Sequence, residues 1–452
     1  MANGRPTDDG SRRSSRGRRN KVANAGGLEA LGKQLGGGAG SSGRAGSGLA
    51  NESGLRNLGA RIDQQKGRTR RGRRRWSAQR KIVTVLTALV VLAGLAVAGG
   101  YGYLRYRYDQ IHKVHVADEV AVQNGGPFTI LVIGSDSRVG ENSAQFGSTA
   151  QVQGQRSDVI QLWRATPATK QLQIISVPRD TVVSMVGNDV QRFGTYNRIN
   201  SAFNSGANQL VQTITANLGV PINHVVEVDF AGFQGAVDAL GGVYMNFNYP
   251  AKDSYSGLNI TATGCQLLNG NQALAVARAR HFEYYSSGYW HYDPTSDFGR
   301  IQRQDAFIRS LIAAAKSKVN PLTVNAFIGS IHNGVSIDDG FGLNELIGLA
   351  ETYHSFNPNG LVAQTLPTQS SSAFGGLGDV LAVDQPAAQQ TLVNIFGSSL
   401  VSPTNPPPNV DGVPEPPPAV TPTTVAPSTT GTTQPASATQ QATYNPTPCT
   451  PA

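Results

Sequence analysis

The sequence predicts a layered α/β/α sandwich with a central mixed sheet, preceded by one transmembrane helix and flanked by disordered tails. Three observations predict it. Charge, glycine and proline are segregated to the chain's ends; one run of 23 residues carries no charge; and between that run and the C-terminal tail, short apolar strands alternate with helical stretches.

The 452 residues divide sharply in charge. The first 81 hold 20 basic and 5 acidic residues, a charge of +15, whereas the remainder holds 18 and 24, a charge of −6. Glycine is dense before residue 50, and 14 of the 25 prolines follow Val401. One globular enzyme filling the whole chain is thereby excluded, and so is a DNA-binding domain throughout, because the remainder is acidic.

Residues 1–81 are rich in Gly, Ser, Arg, Ala and Asn. They bury too little apolar surface to offset chain entropy and read as a disordered basic tail. Ile82 to Leu104 (IVTVLTALVVLAGLAVAGGYGYL) follows. As a helix this run is about 34 Å long, enough for a hydrocarbon core of ~30 Å. A buried soluble helix of this length would normally show a polar face. Tyr101 and Tyr103 lie at one end, as interfacial aromatics do, and the cations of Arg68 to Lys81 place the N-terminus in the cytoplasm. A cleaved signal peptide is the alternative, with Ala96-Val97-Ala98 as the small-residue site. The preceding 81 residues are too long for a usual n-region, which favours an uncleaved signal anchor in the cell membrane. Residues 105–124 form a short polar stalk.

From residue 125 to 398 the pattern is that of one α/β domain, about 275 residues and long enough for a sizeable core. Phe128 to Ser135 (FTILVIGS) is a central strand; Asp158 to Ala165 and Gln171 to Val177 are two more, joined as a hairpin through Thr166 to Lys170. Gly206 to Leu218 has helical spacing, His224 to Phe230 alternates as a strand, and Ala231 to Leu240 is a helix ended by Gly241-Gly242. Val243 to Phe247 is a strand; Asn271 to Ala277 and Asp297 to Val319 are helices. Residues 399–452 are rich in Pro, Thr, Ser and Gln and read as a disordered, extended tail, suited to threading a wall, carrying glycans or serving as an inert extension. The two cysteines, Cys265 and Cys449, make neither a disulfide scaffold nor a zinc site, although an oxidising space would allow them to pair.

The Walker, Rossmann, zinc-protease and nucleophile-elbow motifs are missing from the sequence. Arginines and aspartates stand out instead, in GSDSR (Gly134 to Arg138), RSD (Arg156 to Asp158), SVPRDT (Ser176 to Thr181), ARARH (Ala277 to His281) and DFGRIQRQ (Asp297 to Gln304). Most lie at strand or helix ends, where open α/β sheets hold ligands. In the last helix, Asp297, Arg300 and Gln304 fall with Ile301, Ile308, Leu311, Ile312 and Ala315 within about 60° of one direction, so the polar groups point inward with the apolar stripe. Inward charges are costly unless paired or liganded, and an internal Asp–Arg salt bridge is the plain alternative to a ligand. Arg278 and Arg280 share a face only if their segment is extended. With Arg156, Arg179 and Arg300 they form an arginine set whose planar forks suit phosphate. Asp136 and Asp158 could balance that set or hold Mg²⁺ beside phosphate oxygens. The residues alone therefore describe a pyrophosphate site.

These motifs stand in order with NRINSAFNSG (Asn197 to Gly206), HVVEVDFAGFQGAVDALGGV (His224 to Val243), LNGNQALAVARARH (Leu268 to His281), VSIDDGFGLNELIGLA, TLP (Thr365 to Pro367) and VDQ (Val383 to Gln385). Over roughly residues 125–398 the chain resembles the LytR–CpsA–Psr family. The resemblance implies an enzyme that transfers a glycopolymer from a polyprenyl-pyrophosphate carrier to a peptidoglycan sugar hydroxyl, making a phosphodiester and releasing polyprenyl phosphate. It implies Mg²⁺ on Asp136 and Asp158. It puts Arg156, Arg179, Arg278, Arg280, Arg300 and Gln304 against pyrophosphate, with Arg138 among the substrate contacts and Asp297 holding the arginines and assisting the acceptor. The expected partners are the lipid-linked glycopolymer, peptidoglycan and membrane lipid, with no specific nucleic acid. A Mg²⁺-dependent prenyl-diphosphate pyrophosphatase is the alternative, and a membrane-anchored regulator a more distant one. Two features depart from the family: a long polar stretch between Arg138 and Arg156, and Phe282 to Tyr292, which carries six aromatics suited to stack on sugars, rim a lipid pocket or pack locally.

Overall fold

A computed structural model describes residues 78–122, 125–135, 157–317, 321–331, 334–419 and 444–450. The chain divides into two units, Met1–Thr87 and Ala88–Ala452. The Ala78–Tyr108 helix contains the uncharged run. Its Ile82–Tyr108 part, with a mean hydropathy of 2.5 in its most apolar stretch, is long and apolar enough to cross a membrane.

The second unit is built on a seven-stranded mixed sheet. Its strands run, side by side, His112–Val114, Val335–Asp338, His224–Val228, Phe128–Ser135, Ser157–Thr166, Gln171–Ser176 and Val362–Thr365. Alternate residues face opposite layers, as a strand's two-residue period demands. On one face Leu131, Ile133, Ile160, Leu162, Ile175 and Val225 pack against Leu210 and Ile214 of the Ala207–Leu218 helix and Leu392 and Phe396 of the Gln385–Phe396 helix. On the other, Ile130 and Val226 pack near Phe341 and Leu343, while Ile174 and Trp163 meet Val276 and Phe307. Helices on both faces make the expected sandwich.

Strand directions place the functional end of the sheet. Phe128–Ser135 runs parallel to His224–Val228 and antiparallel to Ser157–Thr166, so Ser135, Ser157 and Val228 lie at one end. Val335 pairs with Val228, and His112 pairs with Ser336. The segment following the apolar helix therefore enters the sheet at that same end, while the Tyr108 hydroxyl reaches past the far end of the neighbouring strand and donates to the Phe341 carbonyl at 2.7 Å. Part of the expected stalk is thus an edge strand rather than a linker. Its continuation is also docked, Val120 N–H donating to the Ile222 carbonyl at 2.8 Å.

Two stretches of the expected disordered C-terminal tail have defined places. Val401 N–H donates to Gly219 C=O at 2.9 Å and Asn405 N–H to Ala216 C=O at 3.0 Å. Ser184 Oγ donates to the Pro406 carbonyl at 2.8 Å. Gly219 has φ 67°, and a Cβ there would run into the Val401 carbonyl oxygen, so glycine serves both the helix end and the close approach. Thr447–Pro448 pairs antiparallel with Val243–Phe247, whose other neighbour is Gly264–Leu268. Cys449 is disulfide-bonded to Cys265 across 184 residues, with Cα atoms 5.9 Å apart. Composition alone misread these stretches because proline-rich chain needs few hydrogen bonds of its own and can lie extended on a preformed surface. Residues 420–443 lie outside the described residues, as does the basic tail up to 77.

Candidate active site

The Asp297–Ser317 helix carries the site. Arg300 and Asp297 are an i, i+3 pair, Nη2 to Oδ1 2.8 Å, with side chains only 4% and 14% exposed. The inward orientation expected from the helical stripe is therefore observed. Arg300 Nη2 also donates to the Asp158 backbone carbonyl at 2.9 Å, which ties the helix to the end of the central sheet. From the extended segment after the Gly270–Arg278 helix, Arg280 Nε reaches Asp297 at 3.2 Å and Arg280 Nη2 reaches Asp180 at 3.8 Å. Arg179 bonds Asp158 closely and lies 3.5 Å from Asp180. Arg198 Nε is 3.1 Å from Asp180 on its other oxygen.

Four guanidiniums, from Arg179, Arg198, Arg280 and Arg300, thus share three carboxylates, from Asp158, Asp180 and Asp297. They come from four separate stretches of chain. Burial pulls the Arg300 pKa down, even though Asp297 and Asp158 favour its charge, and neighbouring Arg179 and Arg280 add repulsion. Burial also works against the charge of Arg179, but Asp158 and Asp180 outweigh it and raise that pKa. Among the described residues this partly buried set carries one positive charge in excess, which favours an anion, and guanidinium forks match phosphate oxygens.

The site helix also holds the ARARH segment from below. Gln304 Nε2 donates to the Ala277 carbonyl at 2.9 Å, and Arg303 Nη2 donates to the Ala279 carbonyl at 2.8 Å. These are orphan carbonyls of a helix C-terminus, satisfied by a neighbouring helix. Arg278, the last residue of its helix, lies over the Phe230 ring at 4.5 Å, whereas Arg280 joins the aspartates. Asp136, Arg138 and Arg156 lie outside the described residues. Among the described residues no group of three or more His, Cys, Asp or Glu could hold a metal. Asp158, the described member of the expected magnesium pair, is ion-paired with Arg179.

Sequence reasoning missed Asp180 and Arg198. Both lay within motifs already singled out, one beside Arg179 and the other opening the Ile199–Ser205 turn. It also missed Arg303, whose side chain is 0% exposed and bonds Asp293 at 2.8 Å. Arg303 falls off the helix's apolar stripe. It is buried because the C-terminal segment covers that side, with Asn445 Oδ1 accepting from Arg303 Nη1 at 2.7 Å.

Asp305, deeper in the same helix, is buried with one carboxylate oxygen lacking a partner among the described residues. Burial pushes its pKa up to about 7, against a smaller opposing pull from Arg309. The folded state then holds a proton that the unfolded state releases near pH 4, so stability falls as pH rises between those values and stays reduced above about 7. We expect Asp305→Asn to stabilise the fold at pH 8 by on the order of a few kcal/mol, with a higher melting temperature, and to change little below pH 4. Thermal melts across pH check this; equal shifts at both extremes would refute it.

The chain is similar to known proteins in sequence and in fold. Residues 103–395 match the sequence pattern of the LytR_cpsA_psr family. The polyisoprenyl-teichoic acid–peptidoglycan teichoic acid transferase TagU of Bacillus subtilis is 30% identical over 247 residues, covering 52% of this chain and 71% of that protein. The probable cell wall biosynthesis protein LcpB of Corynebacterium glutamicum is 28% identical over 287 residues, covering 62% of this chain and 64% of LcpB. Among solved structures, the LytR-Csp2A-Psr enzyme from Actinomyces oris superposes with a TM-score of 0.51 at 24% identity, over 65% of this chain and 97% of the other, a likeness of fold.

Proposed function

This chain belongs to the LytR_cpsA_psr family, and from that premise we propose that it transfers a glycopolymer from a polyprenyl-pyrophosphate carrier to a peptidoglycan sugar hydroxyl. The observation that carries the reading is the convergence of Arg179, Arg198, Arg280 and Arg300 at the end of the sheet into which the segment after the apolar helix runs. A lipid-borne diphosphate needs such a place: cations for the headgroup, on a domain tethered by a membrane anchor. The basic residues before Ile82 put that segment in the cytoplasm and the domain outside.

In the proposed reaction an acceptor hydroxyl oxygen attacks the phosphorus nearest the glycan. The P–O–P bond breaks, the hydroxyl loses its proton, and polyprenyl phosphate departs with its negative charge. Phosphoryl transfer depends on positioning and charge neutralisation more than on covalent chemistry. Arg300, fixed by Asp297 and the Asp158 carbonyl, and Arg280, fixed by Asp297 and Asp180, are preorganised for the phosphate oxygens. Asp180 spaces Arg179, Arg198 and Arg280 by binding all three. Gln304 sets the backbone from which Arg278 and Arg280 project. Asp158, with Asp136, would hold magnesium, which when bound neutralises phosphate oxygens. By motif, Arg138 and Arg156 join the substrate contacts.

The test uses the full chain in membrane vesicles with a lipid-linked glycopolymer and peptidoglycan. We expect a wall-linked phosphodiester. Free, phosphate-terminated glycan as the sole product would overturn the transferase reading in favour of a pyrophosphatase, a reading that the named relatives do not support.

A further inference from the structure

We propose that the outer face of the small sheet beside the arginine cluster is a docking platform for the acceptor's glycan strand. This inference rests on the transferase reading for the identity of its ligand and adds where that ligand lies.

The four-stranded sheet runs Leu258–Ile260, Ala251–Asp253, Glu283–Ser286, Tyr289–Tyr292. Its register aligns Asn259 with Lys252, Lys252 with Glu283, Glu283 with Tyr292, and Tyr285 with Trp290. Directly paired residues share a face, so these six residues form one surface. The opposite face carries Ala251, Leu258 and Ile260, all buried in the core. The six-residue surface therefore points to solvent, with Tyr285, Trp290 and Tyr292 exposed by 41%, 40% and 52%. A cluster of large exposed rings on a soluble domain marks an interaction surface.

The chemistry of the patch selects a partner. Lys252, the cation on this face, lies 3.0 Å from Glu283 and 4.1 Å from the Trp290 ring centre. Local charge is balanced, so a polyanionic chain gains little here. Flat aromatic rings ringed by an amide, hydroxyls and a paired charge suit a neutral ring with apolar C–H faces and a hydroxyl rim. A β-1,4-linked N-acetylhexosamine chain has that form, its substituents lying equatorially and leaving the ring faces clear. Aromatic side chains give such contacts at low conformational cost.

The patch is continuous with the site. The hairpin leaves the chain directly after Arg280 and His281 and returns at Asp293, four residues before Asp297. His281 N–H donates to Asp253 at 2.8 Å, and Asp293 N–H donates to the Phe282 carbonyl at 2.8 Å. Asp293 in turn bonds Arg303 of the site helix. Tyr255, 77% exposed, lies against His281 with ring centres 4.3 Å apart and extends aromatic surface to the residue beside Arg280. A strand lying on this surface would bring a sugar hydroxyl toward the diphosphate.

The experiment uses the full-length chain in nanodiscs and a soluble, uncross-linked peptidoglycan oligosaccharide, with binding measured by calorimetry in the absence of donor. We expect the Trp290→Ala/Tyr292→Ala double variant, and independently Tyr285→Ala, to weaken oligosaccharide binding at least tenfold at unchanged melting temperature. The KM for peptidoglycan should rise by a similar factor with kcat unchanged, and prenyl diphosphate affinity should stay the same. Binding equal to wild type in both variants, or no binding by the wild type, overturns the platform. So does a loss confined to partition onto phosphatidylglycerol vesicles, which would make the patch a membrane contact. Because donor is omitted, failure here leaves the transferase reading standing; a wall-free product in the transfer assay would remove that reading whatever the oligosaccharide does.

Discussion

Replacing Arg280 or Arg300 with alanine should lower the kcat/KM for glycopolymer transfer by about 10²–10³, the usual loss when a preorganised donor to developing charge is removed. The two variants differ in what else they disturb. Arg280 has a side chain 31% exposed, so Arg280→Ala should fold as wild type and report on the site alone. Arg300 is buried against Asp297 and the Asp158 carbonyl, and Arg300→Ala leaves the Asp297 carboxylate without its closest partner, so that variant should also lose stability. Arg300→Lys separates the roles: it keeps a charge but loses the planar fork, and we expect most of the activity loss with less of the stability loss. Transfer assays paired with thermal melts on all three variants decide the matter. Undiminished transfer by both alanine variants would remove these arginines from the reaction.

Breaking the Cys265–Cys449 bridge should cost about 2–5 kcal/mol of stability, the range for native disulfides that close long loops. Its consequences should reach the site helix. The bridge holds the segment in which Tyr444 Oη accepts from Asn248 N–H at 2.8 Å and Asn445 bonds both Arg303 and Gln302. Once that segment leaves, Arg303 loses one partner and its cover, while keeping Asp293 and the Ala279 carbonyl. Cys449→Ser, Cys265→Ser and the double variant should therefore lower the melting temperature equally, since each removes the same bond. Reductant should lower it in the wild type and leave the variants unchanged. Wild-type stability in Cys449→Ser would show that the bridge contributes nothing to the fold.

Much of the architecture was legible because it depends on local pattern. The apolar run Phe128–Ser135, the hairpin joining the next two strands, and the inward aspartate and arginine of the Asp297–Ser317 helix all follow from residue period and turn chemistry. Arg280 and Arg179 were legible as motif arginines, but the aspartate that spaces them, Asp180, was not. Its role appears only when Arg179, Arg198 and Arg280 approach it from three stretches of chain. Arg303 shows the same limit from another side. Helical period assigns it to a solvated face, and a segment more than 100 residues later in sequence buries it.

By itself the sequence determined the charge segregation, the membrane-length helix, the alternating strands and the arginine-rich motifs, because each is encoded within a window of a few dozen residues. Only the tertiary structure decided which guanidiniums share which carboxylates, which stretches of the proline-rich tail are laid down, and which aromatics of the hairpin face outward. Those outcomes depend on contacts between residues far apart in sequence, where burial and Coulomb energy act through distance in space and local periodicity carries no information.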